Sequence, residues 1–562
     1  MTEQGTWPYL TIRRWIDAGA CLAALLLLSS LAGPVVTPIP AIGIAALPVA
    51  LVLLALLGMV LLASGADILE RVEVLILVMA CISVTLQVLA VLHFSPPYQT
   101  DEAALLQAAG ALVLHGHNPY GVDLARAYST FHVSPYRVTP LASGGFVTQI
   151  NYPGLAVLIA AATVWVTDGY QAIVAASTAA LIVATITCFA LLPKAIRSLA
   201  IVASLALPGL VGDAIGGLIA VLAIPFLVFA VWRWDAIGEE RRLGRMGIAQ
   251  ATALGLACSV SQLAWLIAPF LIVLVWRRRS DEDGFRRGSI VCLHFGLVAA
   301  ATFALCNVAF MVANPPTWLA GVGAPILQHS IPLGFGLAAL PSLAGVGGGF
   351  LAGYSMGAAC LYLALLATLW AWFERLRYVA LILPVLATLV STRALTEYWI
   401  LLIPVWLVAA ATVGVFVRDS AKHSVVGAGR AGTAAKVLAA ALVLAGASVI
   451  GLSVASPAPF AVIVSSFPAR DADHVISAMT VQLKNRSDQA LTPHFIVTVQ
   501  IGTSVWLVRH GPHRLAPNQS ASYLLVPPNR KYEIPATQVQ VGVLTNDPET
   551  VSLSPLAFPG RQ

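Results

Sequence analysis

Long apolar runs alternate with short charged segments along most of the chain, and a strand-like pattern replaces them near residue 457. About 20 consecutive apolar residues suffice for a helix to cross a bilayer. The pattern predicts a polytopic α-helical membrane protein with about thirteen spans. These are expected near 17–33, 41–63, 72–93, 172–193, 199–211, 214–232, twice within 248–276, 289–312, 351–373, 378–390, 399–416 and 437–456.

Basic residues between the runs predict their orientation, because cytoplasmic loops are enriched in Lys and Arg. Arg13 and Arg14 place the N-terminus in the cytoplasm, and we interpret the run after them as a retained first helix rather than a signal peptide. Lys194 and Arg197 favour the cytoplasm as well, so we expect the short run 154–166 to lie at the outer surface without crossing. Two long loops, 94–152 and 314–350, are then external.

The alternation beyond residue 457 indicates a second domain. Apolar and polar residues alternate as in strands, and turn signals such as Gly511-Pro512 separate the segments. About seven short strands in roughly 100 residues are typical of an immunoglobulin-like β-sandwich. We therefore predict a transmembrane domain over 1–456 and an extracytoplasmic β-sandwich over 457–562, which braces or docks onto the membrane part or, less favoured, binds carbohydrate. Strands are expected at 475–485, 494–500, 504–508, 521–526 and 538–544.

Composition supports the membrane class. The chain has 562 residues, of which 59% are hydrophobic and only 10% charged, whereas soluble domains carry about 25% charged residues. We attribute the net charge of +6 to orientation among membrane lipids and predict no nucleic-acid partner. All seven cysteines lie in apolar runs, so neither a disulfide framework nor a CxxC metal site is indicated.

The first external loop begins with two adjacent carboxylates, Asp101 and Glu102, followed by helical spacing of apolar residues. Capping explains part of this pattern, since Thr100 or Asp101 can cap the helix and Glu102 suits its positive end. Capping does not explain the polar loop that follows. His115 and His117 lie in that loop, where a solvated turn is favoured over a metal site, and we predict no metal ligands.

The predicted orientation places several polar residues on the same outer face. Polar residues in or beside spans are costly and usually face a cavity or a partner. The sequence therefore predicts one outward-facing polar site. Its members are Asp101, Glu102, Asp213, Gln262, His329, Arg393 and Glu397.

The order of these features resembles a known class of proteins. An acidic residue follows an early span, a short helix ends in a Gly-x-Asn-Pro-Tyr turn at 116–120, and Tyr152-Pro153 opens the next apolar helix. This order resembles the GT-C class of integral-membrane glycosyltransferases that use polyprenyl-phosphate sugars, and is most similar to bacterial mannosyl- and arabinosyltransferase-like members. Further resemblances within 72–416 are Gly212-Asp213, Ser261-Gln262, residues 331–337, and Arg393 with Glu397-Tyr398 before 402–404.

The chain departs from the resemblance at two positions. Many relatives have Tyr-Pro-Pro where this chain has Tyr152-Pro153-Gly154. They also have Lys-Gln where this chain has Ser261-Gln262. The missing lysine removes one expected contact to the donor phosphate.

The resemblance implies transfer of a sugar from a polyprenyl-phosphate donor to a hydroxyl of a glycan or glycolipid acceptor, at the outer face of a bacterial inner (plasma) membrane. A carboxylate takes the proton of the attacking hydroxyl, with Asp101 as the implied base and Glu102 as its rival. No cofactor is required beyond the donor, and a role for a divalent metal stays open. Predicted phosphate contacts are Arg393, Arg137 and His329, and predicted substrate contacts are Gln149, Tyr152, Gln262, Tyr398, Glu397 and Asp213.

Structural roles compete with each of these assignments. The arginines also suit headgroups or loop ion pairs, Glu397 also suits an arginine partner, and His329 and the tyrosines also suit interfacial anchoring. Two other functions remain as alternatives. One is a lipid or solute transporter or flippase, which predicts inverted repeats and ionisable residues at mid-membrane, and neither is evident in the sequence. The other is a non-catalytic cell-envelope assembly protein whose tail recruits partners.

Overall fold

A computed structural model describes residues 7–31, 39–63, 65–94, 98, 100–167, 171–327, 333–334, 336–339, 349–414, 430–470, 475–499, 502–528, 534–535 and 538–557. Its helices are α1 Trp7–Ser29, α2 Pro40–Leu62, α3 Ala66–Phe94, α4 Asp101–Leu114, α5 Arg126–Thr130, α6 Gly154–Thr167, α7 Ala172–Leu191, α8 Leu199–Leu205, α9 Pro208–Ile215, α10 Ile224–Val231, α11 Arg245–Cys258, α12 Leu263–Asp283, α13 Phe285–Ala313, α14 Pro315–Leu327, α15 Ala352–Ala371, α16 Phe373–Leu376, α17 Leu383–Thr388, α18 Thr396–Ile400, α19 Ile403–Ala411 and α20 Arg430–Ala455. Its strands are β1 Leu333–Gly334, β2 Arg393–Ala394, β3 Phe460–Arg470, β4 Val475–Asn485, β5 His494–Val499, β6 Gly502–His510, β7 Ser520–Val526, β8 Ile534–Pro535, β9 Gln540–Asn546 and β10 Glu549–Leu553.

Six of the described helices are long and apolar enough to cross a membrane, namely α2, α3, α7, α13, α15 and α20. A seventh span is formed if α9 and the segment Ile219–Val231, which are bent by 101° relative to each other, count as one broken helix. Each of the six coincides with a predicted run. The coarse prediction of a polytopic helical membrane domain followed by a strand-rich region is therefore confirmed.

Several other predicted spans are broken into short helices, and proline explains where. Helix α9 begins within the run 199–211 and extends beyond it, and the runs 214–232, 378–390 and 399–416 contain α10, α17 and α19. Each of these four helices has proline at its first or second position. Proline lacks the N–H that continues a helix and fits the first turn of a new one. Counting apolar residues does not register this effect, so it predicts one continuous span where one helix ends and another begins.

Two of the shorter apolar runs form helices close to their predicted bounds, while whether 154–166 crosses a membrane stays a prediction. Helix α6 has 14 residues, or about 21 Å of length, which is less than the roughly 30 Å of a bilayer core. The run 248–276 divides into α11 and α12 around the predicted turn at Ser261-Gln262. The first helix, in contrast, begins at Trp7, about ten residues before the predicted span.

Basic residues predicted to share one side of the membrane lie together at one end of the bundle. Arg13 Nε donates to Glu73 at 2.5 Å, and Lys194 Nζ donates to Glu70 at 2.7 Å. Both carboxylates lie near the start of α3. Helix α3 has 29 residues, or about 43 Å of length. The segment 94–152 that follows it, which we call the polar loop, therefore begins at the opposite end of α3 from these ion pairs.

The C-terminal strands form one antiparallel sheet bent into a half barrel, with the order β10-β9-β5-β6-β7-β4-β3. Strand β6 pairs first with β5 and then, from Leu507 onwards, with β7. The two edge strands of the sheet, β3 and β10, approach each other, since Phe460 N donates to Ser552 Oγ at 3.1 Å. The five predicted strands match β4, β5, β6, β7 and β9, whereas β3 and β10 were not predicted.

The sheet docks onto the helical domain through residues 349–351. Leu351 N donates to Glu549 O at 3.0 Å and Val551 N donates to Gly349 O at 3.1 Å. This segment thus extends the sheet beside β10, directly before α15. These two hydrogen bonds join the sheet to the segment that leads into α15.

Candidate functional site

The N-terminus of α4 presents two carboxylates in one turn, and the first of them is occupied by backbone amides. Thr100 caps the helix by accepting from Ala103 N at 3.2 Å. Asp101 is 6% exposed, and its Oδ1 accepts from Glu102 N at 2.9 Å while its Oδ2 accepts from Thr139 N at 2.8 Å. Asp101 therefore fixes residue 139 of the polar loop to the start of the helix.

Glu102 differs from its neighbour in having an unused oxygen. Its Oε2 is shielded from solvent and has no hydrogen-bond partner among the described residues, and the Tyr152 hydroxyl is near enough to the carboxyl group to affect its pKa. Burial, followed by the charge of Asp101, raises the pKa of Glu102 to about 7, against the opposing effects of Tyr152 and Arg393. Glu102 therefore exchanges a proton readily near neutral pH, as a general base must.

Arg393 lies within electrostatic range of Glu102, although the two residues are far apart in the sequence. It lies in β2, which pairs in parallel with β1, and Gly334 of β1 approaches so closely that a Cβ there would lie 2.1 Å from Ala394 O. Helix α18 follows directly and carries Glu397 and Tyr398. Arg393 Nε is buried without a hydrogen-bond partner among the described residues, so the guanidinium retains capacity for a ligand.

Asp213, in α9, is the last member of this group of residues. Its Oδ2 is buried with no hydrogen-bond partner among the described residues, and it lies within electrostatic range of Glu397 and Glu102. Gly209 lets α9 pack against α18, because a Cβ there would lie 2.7 Å from Ile400 Cδ1. We call the following residues the carboxylate cluster: Asp101, Glu102, Tyr152, Asp213, Arg393, Glu397 and Tyr398.

Three polar side chains, of which Tyr120 and Asn307 are buried, hold the backbone around Tyr152 in place. Gln262 Nε2 donates to Asn151 O at 2.6 Å and to Val322 O at 3.0 Å. Tyr120 Oη donates to Tyr152 O at 2.7 Å, and Asn307 Oδ1 accepts from Gly154 N at 2.7 Å. The amide nitrogen of Gln262, predicted as a substrate contact, is thus bonded to two backbone carbonyls and positions the cluster.

Asn307 and Tyr120 were not singled out from the sequence. Asn307 is a fully buried polar residue within the apolar helix α13, and a polar residue in such a run is itself a functional signal. Tyr120 belongs to the Gly-x-Asn-Pro-Tyr turn, and its burial raises its pKa. Both residues act on the backbone of the segment that carries Tyr152.

The remaining predicted site residues lie apart from the cluster or outside the described residues. Gln149 is exposed on the polar loop, and Arg137 is exposed at the end of the short 3₁₀ helix Pro135–Arg137. His329 lies outside the described residues. The structure therefore unites Asp101, Glu102, Tyr152, Asp213, Arg393, Glu397 and Tyr398, and places Gln262 in the frame behind Tyr152.

The cluster combines four carboxyl groups with one guanidinium and two phenols. Burial and the charge of Glu102 raise the pKa of Tyr152 well above its usual value, so its hydroxyl stays protonated and able to donate. No group of three or more His, Cys, Asp or Glu side chains among the described residues is arranged to bind a metal ion. The chemistry that these residues support is proton transfer at Glu102 near the guanidinium of Arg393, whose Nε is shielded from solvent.

Comparisons with known proteins gave no relative: no protein-family model, no curated protein and no solved structure matches this chain.

Proposed function

We propose that the protein is a glycosyltransferase that moves a sugar from a polyprenyl-phosphate donor to a hydroxyl of a glycan or lipid-linked acceptor. One observation carries the proposal. Three distant segments of the chain, α4, α9 and β2, contribute Glu102, Asp213 and Arg393, and each of these residues has a buried polar atom with no hydrogen-bond partner among the described residues. Both Arg393 and Asp213 lie within electrostatic range of Glu102. Buried polar groups are normally bonded, so these three unbonded atoms favour a bound polar substrate.

Glu102 is the better candidate for the base. Both oxygens of Asp101 already accept backbone N–H groups, whereas Glu102 has a free oxygen and a pKa of about 7. In the proposed step the acceptor oxygen attacks the anomeric carbon and its proton passes to Glu102. The bond from the anomeric carbon to the phosphate oxygen breaks, and its electron pair leaves with the lipid phosphate. Asp101 then acts as a positioning residue.

Arg393 is the proposed contact to the donor phosphate. A guanidinium binds phosphate oxygens through two parallel hydrogen bonds, and the unbonded Nε of Arg393 is available for one of them. Tyr398 lies in the same electrostatic neighbourhood and can donate a hydroxyl. The three carboxyl groups around Glu102 suit sugar hydroxyls, because each carboxylate oxygen accepts hydrogen bonds.

The proposal includes the orientation predicted from the sequence. The ion pairs of Arg13 and Lys194 lie at the opposite end of α3 from the carboxylate cluster, so a cytoplasmic location for those basic residues places the cluster at the outer face of a bacterial inner membrane. The finer architecture also belongs to the proposal: thirteen spans, counting tilted and broken helices, and an immunoglobulin-like sandwich formed by the bent C-terminal sheet.

The test is a transfer assay with purified protein. A polyprenyl-phosphate sugar and an acceptor glycan should yield a new glycosidic product, and Glu102→Gln should abolish it. Asp101→Asn should reduce transfer more mildly, because the asparagine retains one acceptor oxygen for a backbone amide. Full activity in both variants would refute the assignment of the base.

One observation favours a proton-coupled transporter as a second candidate. The cluster has four carboxyl groups and a single arginine, and two of the carboxyl groups, Glu102 and Asp213, have a pKa raised to about 7, which suits reversible proton binding during transport. Substrate uptake into proteoliposomes that depends on a proton gradient, without any glycosidic product, would support this candidate. Transfer to an acceptor in detergent, where no gradient exists, would exclude it as the main activity.

A further inference from the structure

The polar loop contains a small hairpin, Thr139 to Val147, that connects the C-terminal sheet with the carboxylate cluster. Val147 N donates to Thr139 O at 3.0 Å, and Leu141 N donates to Gly145 O at 3.1 Å. An isolated bridge between Pro140 and Phe146 lies between these bonds. The hairpin is therefore an ordered element with its base at Thr139 and its tip near Gly144.

The tip of the hairpin is pressed against the first residue of β5. Gly144 has φ +85°, and a Cβ at this position would lie only 2.4 Å from His494 Nδ1. The imidazole of His494 thus rests on the bare backbone of Gly144. Gly145, the next residue, also has a left-handed φ of +77° but has nothing within 4 Å of its Cβ position.

Two aromatic residues extend the same contact. Phe146 packs against a small apolar core that includes Ile496 and Val505 of the sheet, and its ring also lies 5.6 Å from that of Tyr128 in the loop. Tyr136 packs against the main core of the sheet. The sheet therefore holds the hairpin by packing on both sides of its tip.

The base of the hairpin holds a member of the carboxylate cluster. Thr139 N donates to Asp101 Oδ2 at 2.8 Å, and Asp101 precedes Glu102 in the first turn of α4. A continuous path of contacts thus runs from His494 through Gly144 and Thr139 to Asp101. Displacement of the hairpin would remove the bond to Asp101 Oδ2, while the bond from Glu102 N to Oδ1 stays, and would hydrate the space beside Glu102.

We propose that the C-terminal sheet is a positioning module for the carboxylate cluster, and that Gly144, His494 and Thr139 are the positioning residues through which it acts. The catalytic part of this inference rests on the proposed glycosyl transfer. The structural part does not, because it concerns only where the hairpin and Asp101 are held.

The test compares Gly144→Ala with Gly145→Ala in the full chain. Both variants place a Cβ on left-handed backbone, but only Gly144→Ala meets His494. Hydrogen–deuterium exchange of peptides covering 138–147 and 100–106 should accelerate by about tenfold in Gly144→Ala and by less than about twofold in Gly145→Ala. The double variant Gly144→Ala/His494→Ala should exchange no faster than His494→Ala alone, because removal of the ring makes room for the added methyl group.

Catalysis supplies the readout that a purely structural role would not change. Burial is the main cause that raises the pKa of Glu102. Hydration of the space beside Glu102 should therefore move the acidic limb of the kcat/KM profile of Gly144→Ala to lower pH, and should leave that of Gly145→Ala in place. Equal exchange in the two variants would overturn the proposal. So would faster exchange at 138–147 with unchanged exchange at 100–106. If the wild type transfers no sugar, the exchange at 100–106 still decides the inference.

Discussion

Neutralising Glu102 should make the protein more stable at alkaline pH than the wild type. Its pKa lies at about 7 in the folded protein, above the ordinary value of 4.5, so the folded state favours the protonated carboxyl. The wild type then loses stability as the pH rises from about 4.5 to about 7, after which the loss is complete. In Glu102→Gln the side chain keeps its shape and a carbonyl acceptor, but has no charge to bury.

The size of the effect follows from the two pKa values. A group that shifts from 4.5 to about 7 contributes a change of about 2 to 3 kcal/mol between pH 5 and pH 8. We expect the free energy of unfolding of Glu102→Gln, relative to the wild type, to increase by that amount over this interval. Chemical denaturation of the purified protein in detergent micelles, followed at both pH values, measures it.

Glu240 offers a matched control, because its side chain is 75% exposed. Glu240→Gln should show the same pH dependence as the wild type. The contradicting result is a stability difference between Glu102→Gln and the wild type that is the same at pH 5 and at pH 8. It would show that the folded protein does not raise the pKa of Glu102.

Three further predictions concern transfer and packing. In the wild type kcat/KM should fall about tenfold per pH unit below pH 7, because only ionised Glu102 accepts a proton; a flat profile between pH 5 and pH 7 would contradict this. Arg393→Lys should raise the KM for the donor by about tenfold, since an ammonium cannot form the bidentate contact, and an unchanged KM would exclude Arg393 as the phosphate contact. Gly154→Ala should destabilise the protein by about 1 to 3 kcal/mol, because its Cβ would lie 2.7 Å from Cys306 O, whereas Gly296→Ala, with nothing within 4 Å, should not; equal thermal stability of the two variants would refute the packing argument.

The membrane-crossing helices were predictable because bilayer thickness imposes a length on apolar runs. The runs at 41–63 and 172–193 became α2 and α7 almost residue for residue. The helix boundaries around Pro208 and Pro384 were not predictable, because the composition there is apolar throughout while proline marks the start of a new helix. In the tail, β3 was missed since it follows the last apolar helix directly and has no regular alternation.

The membership of the candidate site was largely predictable, whereas the division of roles was not. Basic loops alone placed Asp213, Arg393 and Glu397 on one face with the first loop, and the structure brings them together with Glu102. The choice between Asp101 and Glu102 depends on Thr139 N, which is 38 residues away in an irregular loop. No local pattern reports such a bond.

Transfer of a labelled sugar tests the central claim most directly. Purified wild type and Glu102→Gln would each be given a panel of polyprenyl-phosphate sugars, including mannosyl and arabinosyl donors, with an acceptor glycan. The account predicts a glycosidic product from at least one donor with the wild type, and a loss of about 100-fold or more with Glu102→Gln. Undiminished transfer by Glu102→Gln, or no product from any donor while a proton gradient drives uptake of a solute, would contradict it.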